Sequence, residues 1–327
     1  MARFLTKRLL NMIPLLLLAT MLAFAIMQLA PGGPENFLLA GEDATIDPSK
    51  LEALKEKWGL NDPLYIQYGR WLKNVVVGDF GHSYMQRRPV VDVILDALPN
   101  TLQLSAIVIF LSYAIAIPLG IVSAVKQYSK FDYAVTGLAF IGQAAPNYWI
   151  ALLLMYYVAM QSGGVIPTSG IATPGVTFET YGWLSVLADR AKYMLLPVTV
   201  MTFGSLTGLT RFMRSSMLEV LKEDYTRTAR AKGLSEKVVI YKHAMRNALL
   251  PIITISGGVL SSLVGGAVII EFIYSWPGMG RVGIEAVNLR DYPVSMAIML
   301  MSGVLALVGF LVVDILYVVV DPRIKYD

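Results

Sequence analysis

The sequence predicts an all-α integral membrane protein with six transmembrane helices and both termini in the cytoplasm. Three observations carry that prediction. First, 56% of the 327 residues are hydrophobic and only 15% are charged, with a mean hydropathy of +0.59. A soluble domain usually carries about a quarter charged residues, so much of this surface faces lipid. Second, six apolar stretches reach the roughly 20 residues a helix needs to cross a bilayer core that offers no water to its backbone. They are 9–30, 99–125, 134–160, 193–213, 249–273 and 294–320. Third, the basic residues alternate in density between the links, dense on one side and sparse on the other.

The first stretch follows a basic tip of Arg3, Lys7 and Arg8. Its run from Leu9 to Ala30 is longer than a secretory signal core and no small-x-small cleavage pattern follows, so residues 1–30 read as an uncleaved first helix. Residues 31–98 form a small folded extracytoplasmic segment with seven Lys/Arg and ten Asp/Glu. Within it "DPSKLEALKEKWGL" predicts a short amphipathic helix. Asp47 or Ser49 is its N-cap, Pro48 sits in the first turn, Leu51, Leu54 and Trp58 share one face, and Gly59 lies just past its end. "PLYIQYGRWLKNVV" predicts a second helix.

Residues 99–327 carry the remaining five stretches. The third contains "GQAAPNYW", where Pro146 removes a backbone donor and is expected to kink the helix. Its polar neighbours Gln143 and Asn147, at membrane depth, either line a translocation path or bond between helices. The fourth is the most polar, with Thr199, Thr202, Ser205, Thr207 and Thr210, and has Gly204 and Gly208 at small-xxx-small spacing. It suits the inside of a bundle. The fifth has Gly257, Ser261 and Gly265 four apart, with Gly258, Ser262 and Gly266 beside them, a composition fit for close packing or for lining a path. The last holds Asp314, an ionisable residue expected to be paired.

Between the fourth and fifth stretches lies a basic link, with a coupling loop at about 215–248. Its nine Lys/Arg between 211 and 246 would cost on the order of 25 kcal/mol inside the bilayer, so it is cytoplasmic. The N-terminal tip, the 126–133 link with Lys126 and Lys130, and the tail with Arg323 and Lys325 then fall on the same side. "RFMRSSMLEVLKEDYTRTARAKG" predicts one helix with a stripe of Met217, Val220, Leu221 and Tyr225. Gly233 fits the left-handed position that ends it. Ser235 is placed to cap a following helix, with Glu236 favourable at its positive end. A helix, glycine turn and helix fused to two spans makes a handle; the plainer reading is a solvated basic loop.

Composition narrows the function. The absence of cysteine excludes disulfides and thiolate sites, and two distant histidines, His82 and His243, make a poor metal site. A net charge of +4 is too small to argue for nucleic acid. No phosphate-binding G-x-x-x-x-G-K-[ST] loop is present, nor an H-E-x-x-H, G-x-G-D or G-x-S-x-G motif, which argues against an ATPase or intramembrane enzyme. Few intramembrane carboxylates and no inverted halves argue against an ion-coupled secondary transporter.

"RTARAKGLSEKVVIYKHAMRNALLP" resembles the coupling-loop signature of ABC importer permeases, in the oligopeptide/dipeptide/nickel branch. The general motif of Glu-Ala-Ala, three residues and Gly meets Arg227, Thr228, Ala229 and then Gly233, so its Glu is absent. His243, Arg246, Asn247 and Pro251 match the continuation of that branch. "APGGP" (30–34), "GLNDPLYIQYGRWL" (59–72), "GDFGHSY" (78–84), "EFIYSWPGMG" (271–280), "RDYP" (290–293) and "DILYVVVDPRIK" (314–325) resemble the family in order, most like its first, B-type, peptide permease. The resemblance implies a permease subunit in the bacterial cytoplasmic (inner) membrane, importing peptides or, alternatively, nickel chelates or glutathione. It implies a second homologous permease, two cytoplasmic ATPase subunits that carry ATP and Mg, and an extracytoplasmic binding protein, with no cofactor on this chain. Ala229, Arg230, Ala231, Lys232, Gly233, Leu234 and Ser235 would touch the ATPase, supported by His243, Asn247 and Pro251. Glu271, Pro277 and Gly278 are expected at an outer gate or against the binding protein.

Overall fold

A computed structural model describes the backbone of residues 2–29, 52, 53, 55, 56 and 58–320, and their side chains except at 2–5, 7, 9, 257–267 and 316–320. The described residues form helices joined by turns and loops, with no strand among them and one isolated bridge, His82 to Pro89. The order is α1 (Ala2–Leu29), α2 (Leu64–Val76), α3 (Val90–Val125), α4 (Lys130–Ala144), α5 (Asn147–Leu154), α6 (Phe178–Val220), α7 (Asp224–Ala231), α8 (Met245–Ile273), α9 (Met279–Asn288) and α10 (Tyr292–Val320). A π-turn over Met155–Ala159 and a 3-10 turn over Met160–Ser162 extend α5. The turn Glu236–Val238 and a π-segment over Val239–Ala244 lead into α8.

Among the described residues four helices are long and apolar enough to cross a membrane: Leu10–Leu29, Val90–Val125, Phe178–Val220 and Tyr292–Ile315. The third expected stretch is not one kinked rod. Lys130–Ala144 and Asn147–Ser162 meet at 100°, and taken as one bent span they bring the number to five. The cause is local. A proline pushes the preceding residue out of the helical region, and Ala145 is extended at φ −84°, ψ 125°. The fifth expected stretch is helical as part of α8, though 257–267 lie outside the described side chains.

The chain divides into two compact units, Met1–Thr101 with Pro277–Leu307, and Leu102–Trp276 with Val308–Asp327. In the first unit, the start of α3 packs Val90, Val93, Ile94 and Ala97 against Met279, Ala286, Val294 and Ala297. Full burial of each larger aliphatic side chain contributes about 1.5–3 kcal/mol. Thr20 Oγ1 lies 3.0 Å from Tyr68 Oη, and Gln28 Nε2 donates to Gln67 at 3.1 Å, which fastens α2 to α1. Asp291 is buried at 3% exposure just before α10. Its carboxylate accepts from the Ser83 hydroxyl, from Tyr84 N at 3.1 Å and from Met85 N at 3.2 Å. The predicted second outer helix is α2. The first is helical at each of its described positions, and Gly59 ends it at φ +65°; Asp47, Pro48, Ser49, Leu51 and Leu54 lie outside the described residues.

The second unit has two apolar clusters. One gathers Leu104, Val108, Met201, Ile270, Tyr274 and Trp276. Tyr274 Oη donates to Ala151 O at 2.9 Å, so the buried hydroxyl is satisfied. The other packs Met213, Met217 and Val220 of α6 against Ile240, Ala244, Ala248 and Ile252. Of the two glycines in the fourth stretch, only Gly204 is closely approached: a Cβ there would lie 2.7 Å from Asn147 Oδ1, the end of an exposed side chain that can turn aside. Gly208 has no described atom within 4 Å of that position.

Candidate coupling elbow and membrane-facing polar residues

The elbow is built by local rules and then clamped by longer contacts. The single helix expected to run into it is interrupted: α6 stops at Val220 and α7 starts at Asp224. Thr226 is wholly buried and its hydroxyl donates to Val220 O at 2.9 Å, which closes the break. The expected apolar stripe therefore ends at Leu221, and Tyr225 is 42% exposed, outside the packed face.

At the other end of α7 the backbone forms a Schellman motif. Leu234 N donates to Ala229 O at 3.4 Å and Gly233 N to Arg230 O at 2.9 Å, with Gly233 left-handed at φ +78°. A side chain at 233 would strain that backbone, since left-handed residues other than glycine cost about 1–2 kcal/mol. Ser235 occupies the N-cap position at φ −62°, ψ 145°, but its side chain makes no capping bond, contrary to expectation. Glu236 turns to Arg230 instead, with Nη2 to Oε1 at 2.9 Å. Hydrogen bonding from Arg230 holds the Glu236 carboxyl below its ordinary pKa, and the same contact raises that of Arg230. Arg230 Nη1 also donates to Leu221 O at 3.3 Å, so one guanidinium spans both ends of the elbow.

The elbow is tied to two long helices. Val239 and Ala244 are fully buried, and Ser216 Oγ donates to Ala248 O at 2.9 Å between α6 and α8. Between Met213 and Met217 of the elbow's apolar cluster, Arg214 makes a two-pronged ion pair with Asp132 at the start of α4, Nε to Oδ1 at 2.6 Å and Nη2 to Oδ2 at 2.7 Å. Asp132 is 2% exposed, and it also accepts from the Ser123 hydroxyl and from Tyr128 N at 3.0 Å. Nothing in the sequence pattern marks this pair, because its partners are 82 residues apart.

Of the residues expected to meet an ATPase, Arg230, Ala231, Lys232, Gly233, Leu234 and Ser235 are exposed, with Leu234 at 39%. Ala229 is 5% exposed and supports the elbow from inside. Val238 and Tyr241, exposed at 36% and 55%, border the same turn and are not marked by the sequence, since apolar residues in a helical pattern read as core. His243 is half-buried in the π-segment, Asn247 donates to its carbonyl at 3.4 Å, and Pro251 is exposed within α8.

Gln143 and Asn147 are both exposed and flank the sharp bend between α4 and α5. Arg211 Nη1 donates to Gln143 Oε1 at 2.5 Å. Gly257, Ser261 and Gly265 lie outside the described side chains. Of the residues expected at an outer gate or against the binding protein, Glu271 has 0% exposure and Gly278 is buried. The reason is packing: Glu271 sits between Ile270 and the buried Tyr274–Trp276 turn, while Gly278 caps α9 beside Met279, whose N–H donates to Thr101 Oγ1 at 2.8 Å. Pro277 is half-buried, and its carbonyl accepts from Asn100 Nδ2 at 2.8 Å. Asp314 is buried at 8% exposure.

Comparison with known proteins follows the same lines. Residues 116–326 match the binding-protein-dependent transport system inner membrane component, and residues 1–105 match the N-terminal part of such membrane components. The chain is 45% identical to the oligopeptide transport system permease protein AppB of Bacillus subtilis, with all of both chains covered. It is 39% identical to the dipeptide transport system permease protein DppB of Alkalihalophilus pseudofirmus, over 98% of each. A putative peptide transport system permease of Brucella abortus is 37% identical over the full length of both. Among solved structures, an inward-facing form of the MetNI methionine ABC transporter aligns at a TM-score of 0.55 and 15% identity, covering 71% of this chain and 97% of that one. That likeness speaks to the fold. The chain belongs to the family of binding-protein-dependent transport system inner membrane components.

Proposed function

We propose that this chain is the permease subunit of an ATP-driven importer and forms half of a translocation path for peptides, oligopeptide or dipeptide. Full-length relatives named for oligopeptide and dipeptide transport support peptides over the nickel-chelate and glutathione alternatives. The importer includes an ATPase and a substrate-binding protein. In this reading the assembly has two cytoplasmic ATPase subunits that carry ATP and Mg, a second homologous permease and an extracytoplasmic peptide-binding protein. The chain crosses the membrane six times with both termini inside, and 31–98 faces outward.

The observation that carries the reading is the elbow's construction. A Schellman turn presents Ala231 to Lys237 at the surface, and a buried cluster fuses that turn to α6 and α8. Close-packed interiors transmit displacement with little compression. Closure of ATPase subunits around Leu234 would therefore swing α6 and α8 together and open the path to one side and then the other.

The chain has no cysteine, so Leu234→Cys places a single thiol at the elbow tip. It should cross-link to the ATPase subunit in the purified complex and react with an impermeant maleimide in inside-out vesicles alone. Labelling from the outside of intact cells, or a thiol that never reaches the ATPase, overturns the assignment. Gly233→Asp should abolish ATP-driven uptake while part of the complex still assembles; uptake driven by an ion gradient without ATP would refute it.

A further inference from the structure

The first unit contains a cavity of about 150 Å³ that the transport reading leaves unused. Its walls are aromatic. Trp58 and Tyr84 stack with ring centroids 4.1 Å apart and planes 13° from parallel, and Trp71 and Phe80 line the same space. Two family-like motifs build it: Asp291, from "RDYP", holds the backbone at Tyr84 and Met85, at the end of "GDFGHSY", and so sets the ring of Tyr84 against Trp58.

Two charged side chains line this space. Arg70 gives one of its five donors to Asp62 in a half-exposed ion pair. Asp79 Oδ1 accepts from Gly81 N at 2.8 Å. A guanidinium selects an oxyanion. A carboxylate that shares a cavity with stacked aromatic faces selects an ammonium group.

We infer that this cavity binds the zwitterionic head group of an aminophospholipid, its phosphate on Arg70 and its ammonium on Asp79 and the aromatic walls. A lipid fits better than a free amino acid or peptide because the cavity is also lined by Phe24 of α1 and Met296 of α10, two membrane-length helices. Beside Phe24, α1 exposes Met21, Leu22 and Ile26, an apolar strip on which acyl chains can lie. Placing the site in the outer leaflet rests on the sidedness proposed above; the binding itself does not.

The test uses the full importer complex in nanodiscs of mixed phosphatidylethanolamine and phosphatidylglycerol, followed by native mass spectrometry of retained lipid. The complex should retain phosphatidylethanolamine selectively. Arg70→Gln should lower that retention roughly tenfold, the loss expected for one charge-assisted hydrogen bond. Asp79→Asn should lower it as well and leave phosphatidylglycerol unchanged. Equal retention of both lipids, or retention unchanged in both variants, overturns the inference. Displacement of bound lipid by millimolar glycylglycine assigns the cavity to a soluble zwitterion and likewise overturns it. Lipid retention is read without transport, so a failed uptake assay and a failed lipid assay are distinguishable.

Discussion

Two buried aspartates, one in each unit, start from nearly the same contacts and end in different electrostatic company. Asp132 and Asp291 are 2% and 3% exposed. Each accepts from a serine hydroxyl, Ser123 and Ser83, and from backbone N–H groups nearby. Asp132 also faces the guanidinium of Arg214 along two hydrogen bonds, whereas the described donors to Asp291 are all neutral. Neutral donors order a turn, and their loss leaves orphaned dipoles. A cation makes the same carboxylate a joint between helices, and its loss leaves a charge stranded in a low-dielectric site. The joint holds α4 to the last turns of α6, immediately ahead of the elbow, while the neutral node holds the turn that shapes the aromatic cavity.

The largest effect should therefore come from breaking the charged node. Asp132→Ala leaves Arg214 uncompensated, and loss of one partner of a buried pair costs about 3–5 kcal/mol. The Arg214 side chain is 24% exposed, which places the expected loss at the lower end. Denaturant unfolding of the purified complex measures it. A double variant with Arg214→Ala should cost less than the sum of the two single changes; strict additivity would dissolve the distinction between the nodes.

Asp291→Ala should cost less, about 1–3 kcal/mol, because the groups left behind are neutral. Trp58 and Tyr84 should report it through altered tryptophan fluorescence, since the stack depends on the 83–85 turn. If Asp291→Ala proved the costlier change, the electrostatic account would be wrong. Next come Ser123→Ala and Ser83→Ala. Each removes one neutral donor from a carboxylate, at about 1 kcal/mol, and Ser83→Ala should cost somewhat more in the same unfolding assay because Gln86 N also loses its acceptor.

The smallest effect belongs to an exposed version of the same chemistry. Arg230 and Glu236 are 38% and 55% exposed, and such pairs contribute about 0.2–1 kcal/mol. Because the folded-state pKa of Glu236 is depressed, that contribution is present above the unfolded-state value and is lost as pH falls through the folded one. Amide exchange at Gly233 and Leu234 should accelerate on acidification through that window, relative to intrinsic rates, and Glu236→Gln should show the faster exchange at neutral pH already.

Features set by near neighbours are legible in the amino-acid sequence. Gly233 sits left-handed where the pattern places it, because a helix that must stop needs a residue without a Cβ penalty. Pro146 breaks its helix for a reason contained in the dipeptide, although the dipeptide implies a kink and the chain makes a 100° bend. The elbow's exposed tip is legible for the same reason, and so is its basic character. Ser235 departs from its expected capping role because that role competes with a pairing of Glu236 to Arg230 that only the folded turn creates. The full burial of Glu271 is not legible either, because sequence shows that a carboxylate lies near a helix end, not which way that end packs.

Composition and short-range stereochemistry are thus enough to establish a helical membrane protein, its apolar stretches and its glycine-ended elbow. Folding in three dimensions set what depends on residues far apart in the chain. Asp132 meets Arg214 across 82 positions, Ser83 meets Asp291 across 208, and residues 277–307 join the N-terminal unit. The physical reason is range. Helix caps, proline breaks and hydrophobic transfer act within a turn or on a single side chain, whereas ion pairs, buried acceptors and aromatic cavities exist only once packing brings distant segments together.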